Sequence, residues 1–363
     1  MDIAFAVNSK QFRFFKKLQN KIKLLKVVKT KNLFFISLEG IKCVKKINLN
    51  NAVNYGVKEF EQKYEYKFNL IRPIVKVYFK ILSYINYFRF FKYVSKYDRI
   101  YLWSGLKFEQ MIIKEIAKLY NKQIFYFENG FLPNRIVIDE KGVNFYNSVP
   151  REKNFYCNYN FIKELPSKLV PRLPINKGFK SHDGNINLPS KFIFAPFQVD
   201  YDSQIILFSP WIKNMREFFF ILKSIAEELN INIVFKEHPS SKKNYEDLKK
   251  IAMESNFIYF ANNYPTQELI EKSQGIITIN SSIGIESLLF NKKVITLGKA
   301  FYNIEGIVKH ASSKEEVIII LKSFNKWVLD EKLIKKFLSY LYYDYLIDNE
   351  LNDIDKIKKR LKL

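Results

Sequence analysis

Short apolar runs alternate along this chain with stretches of helical periodicity. Residues 275–279 (GIITI) are β-branched and continuous rather than alternating, the pattern of a strand covered on both faces. Residues 3–7, 99–103, 123–127, 191–197, 231–235 and 294–297 also read as strands, with 33–38 as the strand that follows the first helix. Helical spacing of apolar positions predicts helices over 10–25, 71–97, 108–120, 283–290 and 313–327, and one near Trp211. Pro73 is expected in the first turn of the helix over 71–97. Residues 137–144, with Glu140-Lys-Gly142 between apolar runs, predict a hairpin. Strands alternating with helices predict α/β units and parallel sheets, in which strand C-termini share one edge where ligands bind.

Polar punctuation divides the pattern. Pro166, Pro171, Pro174, Gly178, Gly184 and Pro189 break a polar stretch and mark the best interdomain linker. The expected units are an N-terminal lobe over 1–180, a second lobe over 190–330 and a helical tail over 331–363, with a cleft between the lobes. The tail carries Tyr340, Tyr342, Tyr343 and Tyr345, then Lys356, Lys358, Lys359, Arg360 and Lys362, a composition that fits either packing back on the first lobe or touching lipid.

Composition narrows the class. A length of 363 residues suits two domains, and 48% apolar content excludes a disordered chain. Cys43 and Cys157 offer neither a disulfide framework nor metal spacing, which fits a reducing cytoplasm. The net charge of +24 implies an anionic partner, either nucleic acid or a membrane surface, although 34 Phe and 23 Tyr beside many Lys, Ile and Asn point to a chain-wide bias that supplies part of it. No secretory signal and no uncharged apolar run of membrane-spanning length are found, so a soluble or peripheral protein is expected. The helix over 71–97 mixes Tyr78, Phe79, Tyr84, Tyr87, Phe88, Phe90, Phe91 and Tyr93 with Lys76, Lys80, Arg89 and Lys92. It fits a membrane interface or an aromatic face packed on the core.

Candidate chemistry gathers at the ends of the predicted strands. Asn280, Ser281 and Ser282 stand where a strand turns into a helix N-terminus, a place that favours an anion, or where Ser282 simply caps the helix. Glu286 lies four residues after Ser282 rather than the three of a capping box and is freer to hold a ligand. His238-Pro239 ends an earlier strand, as a functional pair or as a plain terminator. Lys236 can share a strand face with His238. Asp200 and Asp202 sit in a loop after a strand, where Asx turns before a helix would also place them. Glu128-Asn129-Gly130 reads as a loop at a strand end, whose carboxylate could take a proton, or as a turn with Gly130 at positive φ.

Four blocks in order carry a resemblance: Phe127-Glu-Asn-Gly-Phe-Leu-Pro133, Pro196-Phe-Gln-Val-Asp-Tyr-Asp-Ser-Gln204, Lys236-Glu-His-Pro239, and Asn280-Ser-Ser-Ile-Gly-Ile-Glu-Ser-Leu-Leu-Phe with Val294-Ile-Thr-Leu-Gly-Lys-Ala-Phe-Tyr302. Over about residues 95–305 the chain resembles the retaining β-Kdo glycosyltransferases of capsule and O-antigen lipopolysaccharide biosynthesis, the KpsC/KpsS-like capsule polysaccharide biosynthesis proteins. The resemblance implies a GT-B-like α/β fold of two Rossmann-like lobes with a cleft between them and C-terminal helices. It implies transfer of Kdo from CMP-β-Kdo to a lipid-linked glycan acceptor by two displacements, with Asp202 as nucleophile. His238, Lys236 and the helix start at Ser281–Ser282 would stabilise the departing CMP phosphate. Gln198, Pro239, Asn280, Gly284, Glu286, Lys299 and Tyr302 would complete the donor site, with Glu286 toward ribose or cytosine. Asp200, Ser203 and Gln204 would orient Asp202, and Glu128, Asn129 and Gly130 would face the acceptor.

No metal cofactor is implied, although Asp200-Tyr-Asp202 matches Asp-x-Asp on its surface. The implied partners are the CMP-sugar, the lipid-linked acceptor and the cytoplasmic surface of the inner membrane, with a polysaccharide assembly complex compatible and nucleic acid not. Two rival readings stay open: a CMP-sialic-acid or other CMP-keto-acid transferase, and a basic polyanion-binding protein. The Gln198–Gln204 block argues against the first, and no RNA-binding or zinc-finger motif supports the second.

Overall fold

The computed structural model describes residues 1–22, 25–34, 36–64, 68–161, 163–170 and 187–363. The chain forms two compact units, one from Met1–Gly130, Arg135–Ser148 and Leu346–Leu363, the other from Phe131–Asn134 and Val149–Tyr345. Residues 171–186, most of the stretch read as a linker, lie outside the described residues.

The first unit holds β1 (Asp2–Ala6), β2 (Leu25–Lys29), β3 (Arg99–Trp103), β4 (Gln123–Asn129) and β5 (Arg135–Asp139). The second holds β6 (Ile193–Pro196), β7 (Ile233–Lys236), β8 (Ile258–Phe260), β9 (Gly275–Thr278), β10 (Lys293–Thr296) and β11 (Lys309–His310). A last short strand, β12 (Ile347–Asp348), returns to the first sheet. Both sheets match the expected α/β class.

The first sheet runs β12-β5-β4-β3-β1-β2. β1 to β4 pair in parallel, while β5 is antiparallel to β4 and β12 to β5. Its core joins Ala4, Phe15, Tyr101, Phe125 and Phe127 to Ile357 and Leu361 of the helix Ile354–Leu361. The last residues of the chain therefore pack on this sheet.

Three local expectations are corrected here. The strand after the first helix is β2 and not 33–38: the helix spans Ser9–Lys21, and Leu25–Lys29 pairs in register with β1, Val27 against Ala4. β2 is the sheet edge, where Lys26 and Lys29 are tolerated and discourage further pairing. The hairpin forms between β4 and β5; Glu140–Gly142 leads to a short 3-10 turn at Asn144–Tyr146 and not to a second strand. The long helix begins at Phe68, so Pro73 lies in its second turn, where it removes the i+4 donor to the Asn69 carbonyl.

The second sheet is parallel throughout, in the order β11-β10-β9-β6-β7-β8. From β6 the chain winds outward through β7 and β8, then returns to the other side of β6 at β9. That reversal opens a crevice at the carboxyl ends of β6 and β9, the place where doubly wound sheets bind ligands. One face of the sheet is filled by aromatic rings, with Phe197 5.4 Å from Phe235 and Phe219 stacked at 5.9 Å on Phe260.

Candidate functional site

The residues after β6, β7 and β9 meet at the C-terminal edge of the second sheet. A buried amide bridge spans the reversal point: Gln198 Nε2 donates to Asn280 Oδ1 at 2.9 Å, and Asn280 N donates back to Gln198 Oε1 at 3.1 Å. Asn280 Nδ2 continues to the Gln204 carbonyl at 3.0 Å, tying the loop after β9 to the segment after β6. Thr278, which sequence reasoning passed over, joins the network by donating to Gln198 Oε1 at 3.3 Å and accepting from Ser281 N at 3.3 Å. Its signal was the polar last position of an otherwise apolar strand.

The two aspartates have different surroundings. Asp200 is fully buried, with Oδ1 accepting from Met215 N at 2.7 Å and Oδ2 from Tyr245 OH at 3.1 Å. Burial, reinforced by the charge of Asp200, pushes the Tyr245 hydroxyl well above the ordinary tyrosine range. Asp202 is half-buried and caps the short helix Ser203–Phe208, accepting from Gln204 N at 2.9 Å, with Ser203 Oγ at 3.4 Å. The Asx-turn geometry is therefore present at Asp202. Gln204 also reaches the Asn280 carbonyl through Nε2 at 3.4 Å.

β7 ends at Lys236, and His238-Pro239 forms the following turn, closed by Ser240 N donating to His238 Nδ1 at 3.1 Å and Ser241 N to the His238 carbonyl at 2.9 Å. Lys236 Nζ donates to the carbonyls of Asn262 and Tyr264 at 2.6 and 2.7 Å. Glu237, another residue that sequence reasoning missed, is buried against Lys249 at 3.0 Å and pairs with Asn262 through both its backbone N–H and its side chain. Removing Lys249 would leave the buried Glu237 carboxylate without its cation, whereas Lys249 also pairs with Glu246 at 2.9 Å.

At the end of β9 the helix spans Ser282–Leu288, and its cap is Ser281 and not Ser282, because Ser281 Oγ accepts from Ile283 N at 3.2 Å. Tyr302 braces the junction from below: it is buried, and its hydroxyl donates to the Ser281 carbonyl at 2.5 Å. Burial, with the charge of Glu286 second, pushes that hydroxyl far above its ordinary value. Gly284 makes room for the ring, since a Cβ there would stand 2.5 Å from the Tyr302 hydroxyl oxygen. Gly284→Ala is expected to destabilise the protein despite a gain in helix propensity, and Tyr302→Phe in the same chain to recover part of the loss, as read by thermal unfolding of the four-member cycle. Lys299 is exposed, held through its backbone N–H to the Phe208 carbonyl at 2.8 Å.

Lys236 and Glu286 line one cavity of about 420 Å³ together with Tyr264, Thr266 and Gln267. Two of the expected donor contacts thus face a common volume. Among the described residues no group of three or more His, Cys, Asp or Glu is placed to hold a metal ion.

Glu128 lies in the first unit and within β4, not in a loop, paired across the sheet with Val137. Its Oε1 accepts from the Trp103 indole at 3.0 Å and from Asn129 N at 2.9 Å. Asn129 is the exposed last residue of β4. Gly130 has no positive φ; its backbone N–H bonds the Arg135 carbonyl at 2.8 Å, and a Cβ would stand 2.4 Å from that oxygen, so close approach is what requires glycine.

Residues 175–345 match the family model described as capsule polysaccharide biosynthesis protein. Protein FixF of Sinorhizobium fredii is 32% identical over 267 residues, 72% of this chain and 64% of that protein. The chain thus spans less than two thirds of that relative's length. The capsule polysaccharide export protein KpsS of Escherichia coli is 25% identical over 307 residues, 66% of this chain and 75% of its own. Among solved structures, the Thermosulfurimonas dismutans KpsC β-Kdo 2,7-transferase superposes with a TM-score of 0.51 at 15% identity, covering 99% of both chains, which establishes the shared two-sheet GT-B-like fold. By motif order and by these similarities the chain is KpsC/KpsS-like, with residues 175–345 matching the capsule polysaccharide biosynthesis proteins.

Proposed function

We propose that the protein is a retaining glycosyltransferase that moves Kdo from CMP-β-Kdo to a lipid-linked glycan acceptor at the cytoplasmic surface of the inner membrane. The observation that supports this reading most directly is the cavity shared by Lys236 and Glu286 beside the crevice at β6 and β9. Lys236 faces that volume together with the carboxylates of Glu268, Glu271 and Glu286; in this reading the cation meets a phosphate or base carbonyl, and the carboxylates accept from ribose hydroxyls and the base amine. The half-buried Asp202 carboxylate belongs to the same strand edge.

In this reading Asp202 attacks the anomeric carbon, and the bond to the CMP phosphate oxygen breaks with its electron pair. His238 and the backbone donors at the start of Ser282–Leu288 stabilise the departing charge. The acceptor hydroxyl then attacks the same carbon, the bond to Asp202 breaks with its electron pair, and the hydroxyl proton passes to solvent. Two inversions restore the original configuration. Phosphate leaves without the acid assistance a glycosidic oxygen needs, so one carboxylate suffices on the donor side and no metal is required.

The test is product formation from CMP-β-Kdo generated in situ, with lipid-linked acceptors, in the presence and absence of excess EDTA. Transfer with retained configuration and unchanged rate in EDTA supports the proposal. Turnover of CMP-sialic acid in place of CMP-β-Kdo would overturn the donor, and loss of all activity in EDTA would overturn the metal-free route.

A further inference from the structure

The helix Phe68–Lys96 presents two unlike faces. Tyr87, Phe90, Phe91 and Val94 are buried on one, which accounts for many of its aromatic residues. Leu70, Ile74, Val77, Ile81 and Ile85 are exposed on the other, Leu70 at 87%, Ile74 at 69% and Ile81 at 56%. At 3.6 residues per turn these five fall within a stripe about 80° wide that runs for four turns. The apolar surface continues onto the adjoining chain. Ser37 N donates to the Phe88 carbonyl at 3.1 Å and Tyr87 OH to the Gly40 carbonyl at 2.9 Å, which lays this segment along the helix with Phe34, Ile36, Leu38 and Ile41 exposed. An exposed apolar stripe four turns long, with further exposed apolar residues on the segment that meets the helix at Tyr87 and Phe88, marks an interface.

Charge identifies the occupant. Between Phe68 and Lys96 there are six Lys or Arg and no Asp or Glu. Lys76 and Lys80 are exposed along one flank of the stripe and Lys92 beyond its end, while Lys42, Lys45 and Lys46 are exposed in the neighbouring segment. A second copy packed face to face would set this cationic surface against itself. An anionic bilayer satisfies both parts, its acyl boundary taking the stripe and its phosphates the lysines. No helix among the described residues is long and apolar enough to cross a membrane, so the contact is with the surface.

We propose that the exposed face of Phe68–Lys96, with the adjoining residues 34 and 36–46, is a docking surface for anionic lipid bilayers. The inference stands on exposure and charge and not on the sugar chemistry, and it is measured with neither donor nor acceptor present. The experiment is co-sedimentation of the full chain with vesicles of phosphatidylcholine alone or with 30% phosphatidylglycerol, beside sedimentation velocity without lipid. The expected result is binding to the anionic vesicles at least about 10-fold tighter than to the neutral ones, weakened by salt. Ile74→Glu with Ile81→Glu should remove it, and Lys76→Glu with Lys80→Glu should weaken it about 10-fold; all four positions are exposed, and circular dichroism and melting verify the fold. Absence of wild-type binding to anionic vesicles, or unchanged binding by Ile74→Glu/Ile81→Glu, would overturn the proposal. A dimer in solution that the same isoleucine pair dissolves would assign the face to a second copy instead.

Discussion

Asp202→Asn is expected to lower sugar transfer by about 10³-fold or more while leaving the melting temperature unchanged. The structure makes this substitution the decisive one, because Asp202 holds the N-cap of Ser203–Phe208 through Gln204 N at 2.9 Å. Asparagine caps a helix as well as aspartate does, so the Asn variant keeps the local fold and removes only the carboxylate. Asp202→Ala removes both, and should add a stability loss of about 1 kcal/mol to the loss of transfer. If Asp202→Asn transfers sugar at the wild-type rate, Asp202 is a cap and nothing more. Asp200 is a poor substitute as nucleophile, since Met215 N and Tyr245 OH already engage both of its oxygens in the interior.

The second large effect is expected at Asn280. Asn280→Ala strips Gln198 Nε2 of its acceptor and the Gln204 carbonyl of its donor, all in the buried bridge at the reversal point of the second sheet. Groups orphaned in this way cost about 3 kcal/mol in total, which corresponds to a fall of roughly 6–12 °C in the melting of that unit. Asn280→Asp should cost as much or more, because a carboxylate would replace the amide that now donates to carbonyl oxygens. Differential scanning calorimetry reads both variants. An Asn280→Ala protein that melts like wild type but no longer binds CMP would make Asn280 a ligand contact and not a strut.

These expectations show how a motif divides once it is folded. Within the Gln198–Gln204 block, Gln198 and Asp200 serve the interior, Asp202 and Gln204 stand half-buried, and the linear string does not distinguish them. The same holds for Asn280-Ser281-Ser282, where the first residue bridges two loops, the second caps and the third begins the helix. Gly284 and Tyr302 stand eighteen positions apart, and only packing reveals that the glycine exists to seat the ring.

What the sequence determined by itself was the βα alternation, the placement of seven of the twelve described strands (β1, β3, β4, β6, β7, β9 and β10) within a few residues, and the gathering of Asp202, Lys236, His238 and Ser281 at the strand ends of one sheet. Those follow from local physics: continuous β-branched runs bury on both faces, and strand C-termini in a parallel sheet share an edge. Tertiary structure alone decided the rest. The edge position of β2 let Lys26 and Lys29 sit in a strand that the apolar pattern does not mark. The two residues of β12 became a strand only because β5 offered an open edge more than 200 positions upstream, Ile347 pairing with Ile136 and Asp348 with Arg135. The long helix carried enough apolar residues for two faces, and only the core that took Tyr87, Phe90 and Phe91 determined which face was left to meet another surface. In each case the deciding partner lies far along the chain, where no local pattern records it.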